Sequence, residues 1–383
     1  MKILFSGGGT GGHFYPIIAI AEALYEKTKE KKIIQPKLYF MSPTKYNPRA
    51  LFDNDIEFVA VPAGKIRRYF SILNITDIFK TVYGVVSAII KMFQIYPDVV
   101  FGKGSYASFP ALFAARLLRI PVIIHESDSR PGRVNAWASK FAKKIAISYP
   151  ESAQHFYSKK ETASGTSPRI ALTGLPIRRD VKEPLSNGAR EFLNLEEITP
   201  TIVILGGSQG SQMINNILLS ALPELLERYQ IIHQVGRNNF DLVKETVGVV
   251  LKGNTNAYRY HPFDYLNDLA MRMSAGVASI VISRAGSAIF EIASWGLPSI
   301  IIPLPEEVSH DQTQNAFSYA RAGGCVVIQE HNLTPHILVA EIDNLINNQS
   351  TRDKMSHSAK QFSHSDAAMK IAEVILEIGL EHE

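Results

Sequence analysis

Cysteine is almost absent from this 383-residue chain, with Cys325 its single thiol. One thiol excludes an intramolecular disulfide and any metal site built on several cysteines, and it suits a reducing compartment. The chain also lacks an uninterrupted run of about 18 apolar residues, so no membrane-spanning helix is expected. The opening apolar run Ile3-Leu4-Phe5 breaks at Gly7 without a secretory core, so no signal peptide is expected. Neither charge dominates. The 40 Lys and Arg against 36 Asp and Glu leave a net +4, which is short of a nucleic-acid binder. A weakly basic balance also suits work against anionic lipid or phosphorylated substrates. Low-complexity text is missing too. The expectation is a cytosolic protein, peripheral on a membrane at most.

What the chain does have is alternation. Lys2–Ser6 reads as a strand and 16–31 as a helix with Ile17, Ile18, Ile20, Ala21 and Leu24 on one side. Strands follow at 37–41, 99–101, 121–125 and 144–148, with helical text before or between them. Such βα alternation predicts a parallel sheet covered on both faces. A Gly/Pro-punctuated link, ALTGLPIR, occupies 171–178, and the pattern restarts at TIVILGGSQGS, 201–211. Further strands are expected at 230–235, 248–251, 280–283, 299–303 and 325–328. Two halves that each open on strand, glycine turn and helix predict an α/β protein of two Rossmann-like domains facing across a cleft, 1–175 and 176–365. The last segment, 366–383, carries the apolar stripe Ala367, Ile371, Val374, Ile375 and Ile378 and is expected to pack back on the first domain.

Six stretches carry candidate chemistry. The opening loop SGGGTGGHFYP (6–16) could clear space for a phosphate or be a tight turn. Its spacing fits neither a dinucleotide fingerprint nor a P-loop. His13, just inside a helix N-terminus, is expected to be kept neutral by the dipole and is a candidate general base. The loop Gly206–Ser211 has the same form in the second half, where Ser208 could hold a diphosphate with Arg178 adding charge. After the strand ending at Ile282, Glu291 could accept ribose hydroxyls, stand solvated, or pair with Arg284. Gln312 could bind sugar hydroxyls, while Asp311 is expected to cap a helix. The run His125–Asn135 ends a strand, and ion pairing of its acids with Arg130 or Arg133 is expected ahead of a metal site. Finally, Arg67, Arg68, Tyr69 and Phe70 lead into the apolar segment 75–95, which reads as either a contact with anionic lipid or an ordinary buried helix.

Taken in order, GGGTGGHFYP, PDVVFGKGSYAS, PVIIHES…N, TGLPIR, LGGSQGS, SRAGS…EIASWGLPSIIIP and HDQTQNA span nearly the whole chain. With them the chain resembles the MurG family of UDP-N-acetylglucosamine transferases. The resemblance implies the GT-B fold, with an acceptor-side first domain, a UDP-sugar-binding second domain, no cofactor and no required metal. It implies inverting transfer of N-acetylglucosamine from UDP-N-acetylglucosamine to the C4 hydroxyl of undecaprenyl-linked lipid I, giving lipid II in peptidoglycan synthesis. The place implied is the inner face of the cytoplasmic membrane, bound peripherally, with no nucleic-acid partner.

By the same resemblance Thr10, Gly11 and Gly12 lie beside the transferred sugar and His13 at the acceptor hydroxyl. Asp128, Arg178, Ser208, Gln209, Gly210, Ser287, Ala288, Ile289, Phe290, Glu291 and Gln312 match donor contacts, and Leu266 falls where a backbone meets uracil. Lys103, Gly104, Ser105, Tyr106 and Asn135 match the acceptor side and its diphosphate. Three positions depart from the family's text. Asp128 stands for an Asn, Ser105 for a Gly, and Gly286–Glu291 is one residue short, a turn of about 100° on a helix. The alternatives are a related transferase acting on diacylglycerol or another polyprenyl lipid, a UDP-N-acetylglucosamine 2-epimerase, and a nucleotide-sugar-binding scaffold without turnover.

Overall fold

The structure, a computed structural model, describes residues 1–65, 73–157, 166–207, 210–309 and 311–382. Strands form where aliphatic and β-branched residues run with little polar interruption, because such side chains suit a sheet buried on both faces. In the first half these are β1 (Lys2–Ser6), β2 (Lys37–Ser42), β3 (Ile56–Ala60), β4 (Val99–Gly102), β5 (Val122–Glu126), β6 (Lys144–Ile147) and β7 (Ile170–Leu172). They form a parallel sheet in the order β3-β2-β1-β4-β5-β6-β7. The second half supplies β8 (Thr201–Leu205), β9 (Gln230–Gln234), β10 (Tyr260–Phe263), β11 (Ala278–Ser283), β12 (Ser299–Ile301) and β13 (Cys325–Val327). These too are parallel, in the order β10-β9-β8-β11-β12-β13.

Alternate residues of each strand face opposite layers. Ile3 and Phe5 join Phe14, Ile17 and Leu24 of helix Gly11–Lys31 and Ile371, Ala372 and Ile375 of helix Ala367–His382. Leu4, Val100 and Ile124 join Ala88 and Met92 of helix Leu73–Ile95 and Leu112 of helix Phe109–Leu117 on the other face. Each buried Ile or Leu contributes about 1.5–3 kcal/mol, so the apolar stripe of the last helix ties it to this sheet. The chain accordingly divides into two compact units, Met1–Arg178 with Ser365–Glu383, and Arg179–His364. In the second unit Ile202 and Ile204 face one cluster and Val203 and Leu205 the other.

Several elements differ from the sequence reading. The first helix begins at Gly11 rather than 16, running through Pro16. Residues 248–251 are not a strand, because Val249 and Val250 end the helix Phe240–Val250, where Val243, Val247 and Val250 follow helical spacing. Strands β3, β7 and β10 were not expected. The segment Thr76–Ile95 is long and apolar enough to cross a membrane by length and composition, which Lys80, Gly84 and Lys91 had concealed by interrupting the run. One side of it belongs to the core, through Ala88 and Met92, whereas Ile78, Phe79, Val82, Tyr83, Val86, Ile90 and Phe93 are exposed. The lipid-contact residues Arg67, Arg68, Tyr69 and Phe70 lie outside the described residues.

Candidate active site

In each sheet the strand order reverses beside the first strand, between β1 and β4 and between β8 and β11. Parallel sheets gather ligands at strand carboxyl ends where that reversal parts the loops. In the first unit the loop after β1 is Gly7–Thr10. Gly8 has a φ of +119°, and a Cβ there would lie 2.7 Å from Ser42 Oγ, so this turn admits glycine alone. Thr10 then occupies the N-cap of helix Gly11–Lys31. Its hydroxyl lies 2.8 Å from His13 Nδ1. Burial, and then the Lys103 charge, lower the His13 pKa to about 4, so the imidazole is neutral at neutral pH. The expected neutrality thus has burial as its main cause, ahead of any helix dipole.

The loop after β4 closes against this turn. Ser105 holds φ 69° and ψ 166°, a backbone region suited to glycine. Its hydroxyl donates to the Gly8 carbonyl at 3.0 Å and accepts from the Ala107 amide at 3.2 Å. Beside it, the Tyr106 ring passes 3.4 Å from where a Cβ on Gly9 would lie. Gly104 approaches Asn135 closely enough that a Cβ would meet its amide nitrogen at 2.9 Å. Lys103, only 1% exposed, runs beneath the loop and donates to Ser127 Oγ, so its ammonium is held inside rather than presented at the surface.

Asn135 likewise turns inward. Its amide donates to the His125 carbonyl and to Glu126 Oε2, each at 2.9 Å. The Glu126 carboxylate receives three further donors, from the amides of Ser127 (2.9 Å), Asp128 (3.2 Å) and Gly132 (3.1 Å). That ring of N–H groups replaces the pairing expected with Arg130 or Arg133. Burial, followed by Asp128, pushes the Glu126 carboxyl up, while the Asn135 bond and Lys103 oppose the shift. Because donors face both oxygens, the ionised form is the one this geometry accommodates. His125 is fully buried, with Nε2 2.9 Å from the Gly174 carbonyl, and burial holds its pKa well below the usual imidazole value. Among the described residues no three His, Cys, Asp or Glu side chains are grouped to hold a metal ion. The Arg178 guanidinium stacks 4.0 Å from the Tyr15 ring centroid, two residues along the helix from His13.

In the second unit the loop after β8 begins at Gly206-Gly207, and Ser208 and Gln209 lie outside the described residues. Gly210 has a φ of +75°, and a Cβ there would sit 2.1 Å from the Val235 carbonyl. Ser211 then caps helix Gln212–Leu225. Arg284 clamps this start, its Nε and Nη2 donating to Ser211 Oγ at 3.1 and 2.7 Å. The same guanidinium reaches the carbonyls of Ile302 and Pro303, and pairs with Glu330 at 2.5 Å rather than with Glu291. Ser287 is the N-cap of helix Ala288–Trp295, which places Glu291 in its first turn. Ile289 and Phe290 are core residues, and their amides donate to the carbonyls of Gly286 and Ser287. Gln312 begins helix Gln312–Arg321 and accepts the Leu304 amide at 3.1 Å, which orients its side chain. Asp311 holds the N-cap position without a side-chain capping bond, contrary to expectation.

A residue the sequence reading missed links two of these loops. Gln234 at the end of β9 is 4% exposed. Its amide donates to the Gly207 carbonyl at 3.1 Å and accepts the Leu266 N–H at 3.0 Å. A polar residue closing an apolar strand beside the sheet reversal was the available signal.

Comparison with known proteins places this architecture among relatives. Residues 3–147 match the glycosyltransferase family 28 N-terminal domain and residues 201–371 the family 28 C-terminal domain. A Bacillus thuringiensis (strain Al Hakam) protein named UDP-N-acetylglucosamine–N-acetylmuramyl-(pentapeptide) pyrophosphoryl-undecaprenol N-acetylglucosamine transferase 3 is 34% identical over 378 residues, 98% of this chain and 99% of its own. A Clostridium kluyveri protein named as the same transferase is 35% identical, covering 98% of each. The crystal structure of Acinetobacter baumannii MurG superposes with a TM-score of 0.70 at 25% identity, over 98% of this chain and 99% of that one. The fold class is therefore two-domain α/β of the GT-B type.

Proposed function

Because the chain belongs to glycosyltransferase family 28, we propose that it moves N-acetylglucosamine from UDP-N-acetylglucosamine to the C4 hydroxyl of undecaprenyl-pyrophosphoryl N-acetylmuramyl-pentapeptide, converting lipid I to lipid II. The observation that carries this reading is identity of 34% and 35% along 98% of the chain to relatives named for that transfer. Transfer is with inversion. Thr10 at Nδ1 orients the neutral His13 ring so that Nε2 takes the proton of the attacking hydroxyl. Thr10, Gly11, Gly12 and Asp128 line the transferred sugar, and the Gly104–Tyr106 loop receives the acceptor's diphosphate.

For the donor, the amides of the Gly206–Ser211 loop, with Ser208, Gln209 and Gly210, stabilise the departing UDP, and Arg178 adds charge. Glu291 takes the ribose hydroxyls, Ser287 and Ala288 border the phosphates, and Gln312 binds sugar hydroxyls. Leu266 meets uracil through its carbonyl, its N–H being held by Gln234. Neither cofactor nor metal has a role in this scheme.

The exposed side of helix Leu73–Ile95, with Phe113 and Leu117 of helix Phe109–Leu117, supports peripheral binding to the inner face of the cytoplasmic membrane. Exposed Lys80 on the same helix suits anionic headgroups.

The test is UDP release from UDP-N-acetylglucosamine with lipid I, with diacylglycerol, and with no acceptor, each with and without EDTA. Release is expected with lipid I alone and unchanged by the chelator. Release with diacylglycerol would move the assignment to another lipid transferase. Conversion of the UDP-sugar to its 2-epimer without any lipid would indicate an epimerase, UDP release without lipid a hydrolase, and UDP-sugar binding with neither change a scaffold.

A further inference from the structure

We propose that Lys103 is a positioning residue acting as a fixed internal cation, set between the acids Glu126 and Asp128 and the first turn of the helix that carries His13. The proposal rests on the reading of His13 as the base.

Placement comes first. The Lys103 amide donates to the Ser6 carbonyl at 2.8 Å, which starts its side chain beside the end of β1. A Cβ on Gly7 would lie 3.1 Å from Lys103 Cβ and 3.0 Å from the His13 carbonyl. The lysine stem and the first turn of the His13 helix thus flank one small space that glycine keeps open. From there Nζ reaches Ser127 Oγ, between the two acids. Glu126 is held by four N–H donors in the form that carries charge. Asp128 is fixed by its amide on Glu126 and by its carbonyl, which accepts from Ser152 Oγ at 2.7 Å.

Charge explains why such a lysine persists. A buried ammonium costs several kcal/mol unless opposite charge lies nearby. Burial lowers the Lys103 pKa, and Glu126 and Asp128 raise it again, so the pair of acids keeps it a cation at neutral pH. That cation is the charged group acting on His13, which otherwise faces the Thr10 hydroxyl. His125, neutral through burial, feels both Lys103 and His13. A like charge placed close to an imidazole disfavours its charged form by about one pH unit or more.

The experiment is a histidine NMR titration of the full chain without substrate, with the His13 signal assigned by His13→Gln. In Lys103→Met the His13 pKa is expected to rise by about one unit, and in Lys103→Arg to stay low. The acid limb of kcat should move up by the same amount in Lys103→Met. Lys103→Met/Asp128→Asn keeps the charge balance and should fold, with His13 still titrating higher than in the wild type. An unmoved His13 titration in either Met variant overturns the proposal. Failure of the charge-balanced double variant to fold assigns Lys103 to the fold alone and does the same. If the titration moves while His13→Ala keeps its turnover, the charge coupling stands and the reading of His13 as base fails.

Discussion

Gln234 holds Leu266 by a single hydrogen bond, its Oε1 accepting the Leu266 N–H at 3.0 Å, while its Nε2 donates to the Gly207 carbonyl. The proposed diphosphate loop and the proposed uracil position are therefore joined by one buried amide. Removing it in Gln234→Ala leaves the buried Leu266 N–H without that partner, at about 1–3 kcal/mol, and frees the partly buried Gly207 carbonyl. The expected outcome is a rise of about 10-fold in KM for UDP-N-acetylglucosamine, equivalent to about 1.4 kcal/mol, with kcat little changed. Steady-state kinetics would refute the link by showing a fall in kcat at constant KM.

His13→Ala should lower kcat by about 10²–10⁴-fold, the usual range for a general base, with donor KM near the wild type. Kinetics at saturating lipid I decide this, and turnover within a few-fold of wild type would remove His13 from the chemistry.

Acid stability follows from the buried imidazoles. Burial lowers His233 to about 3, with its ring bonded to Tyr260 and Asn215. A folded pKa below the unfolded value of about 6.5 means the unfolded chain takes up protons first. Stability is then retained above that pH and lost as pH falls toward 3. One such group contributes a slope of up to about 1.4 kcal/mol per pH unit. Urea unfolding from pH 6.5 to 4 should show a shallower loss in His233→Gln than in the wild type. Equal slopes would contradict the argument.

Ser105 sets strain against bonding. Its backbone conformation costs about 1–3 kcal/mol for a residue with a Cβ, and its two hydroxyl bonds return about 1 kcal/mol each. Ser105→Gly should therefore sit near wild-type stability, and Ser105→Ala about 2 kcal/mol below it. Denaturant midpoints with Ala above Gly would reverse this account.

Phe79 and Val82 are exposed on helix Leu73–Ile95. Replacing both with Glu removes apolar area that lipid would cover, at about 1.5–3 kcal/mol per side chain. Co-sedimentation with anionic vesicles should fall by at least about 10-fold, with the unfolding midpoint unchanged. Undiminished vesicle binding would exclude this face.

Strands were legible where the code was redundant, and less so at edges. Lys2–Ser6 and Lys144–Ile147 are aliphatic runs that packing on both faces demands. Edge strand β10 contains Pro262, which argues against a strand from sequence alone but is tolerated where one side needs no partner. The run Val249-Val250-Leu251 fitted either periodicity, and its helical neighbours decided it. Within the site, glycine loops and His13 were readable because few residue types can replace them. Gln234 and Arg284 were not, because each acts on groups distant in the chain.

The sequence by itself determined the two βα halves, their glycine turns and the ordered motifs of the family, since hydrophobic period and turn chemistry are local properties. Tertiary structure alone decided the protonation of the site. His13 owes its neutral ring chiefly to burial, Lys103 passes beneath its loop instead of standing on it, and Glu126 finds backbone N–H groups rather than arginines. Desolvation and charge depend on what surrounds an atom in space, and no spacing along the chain records that.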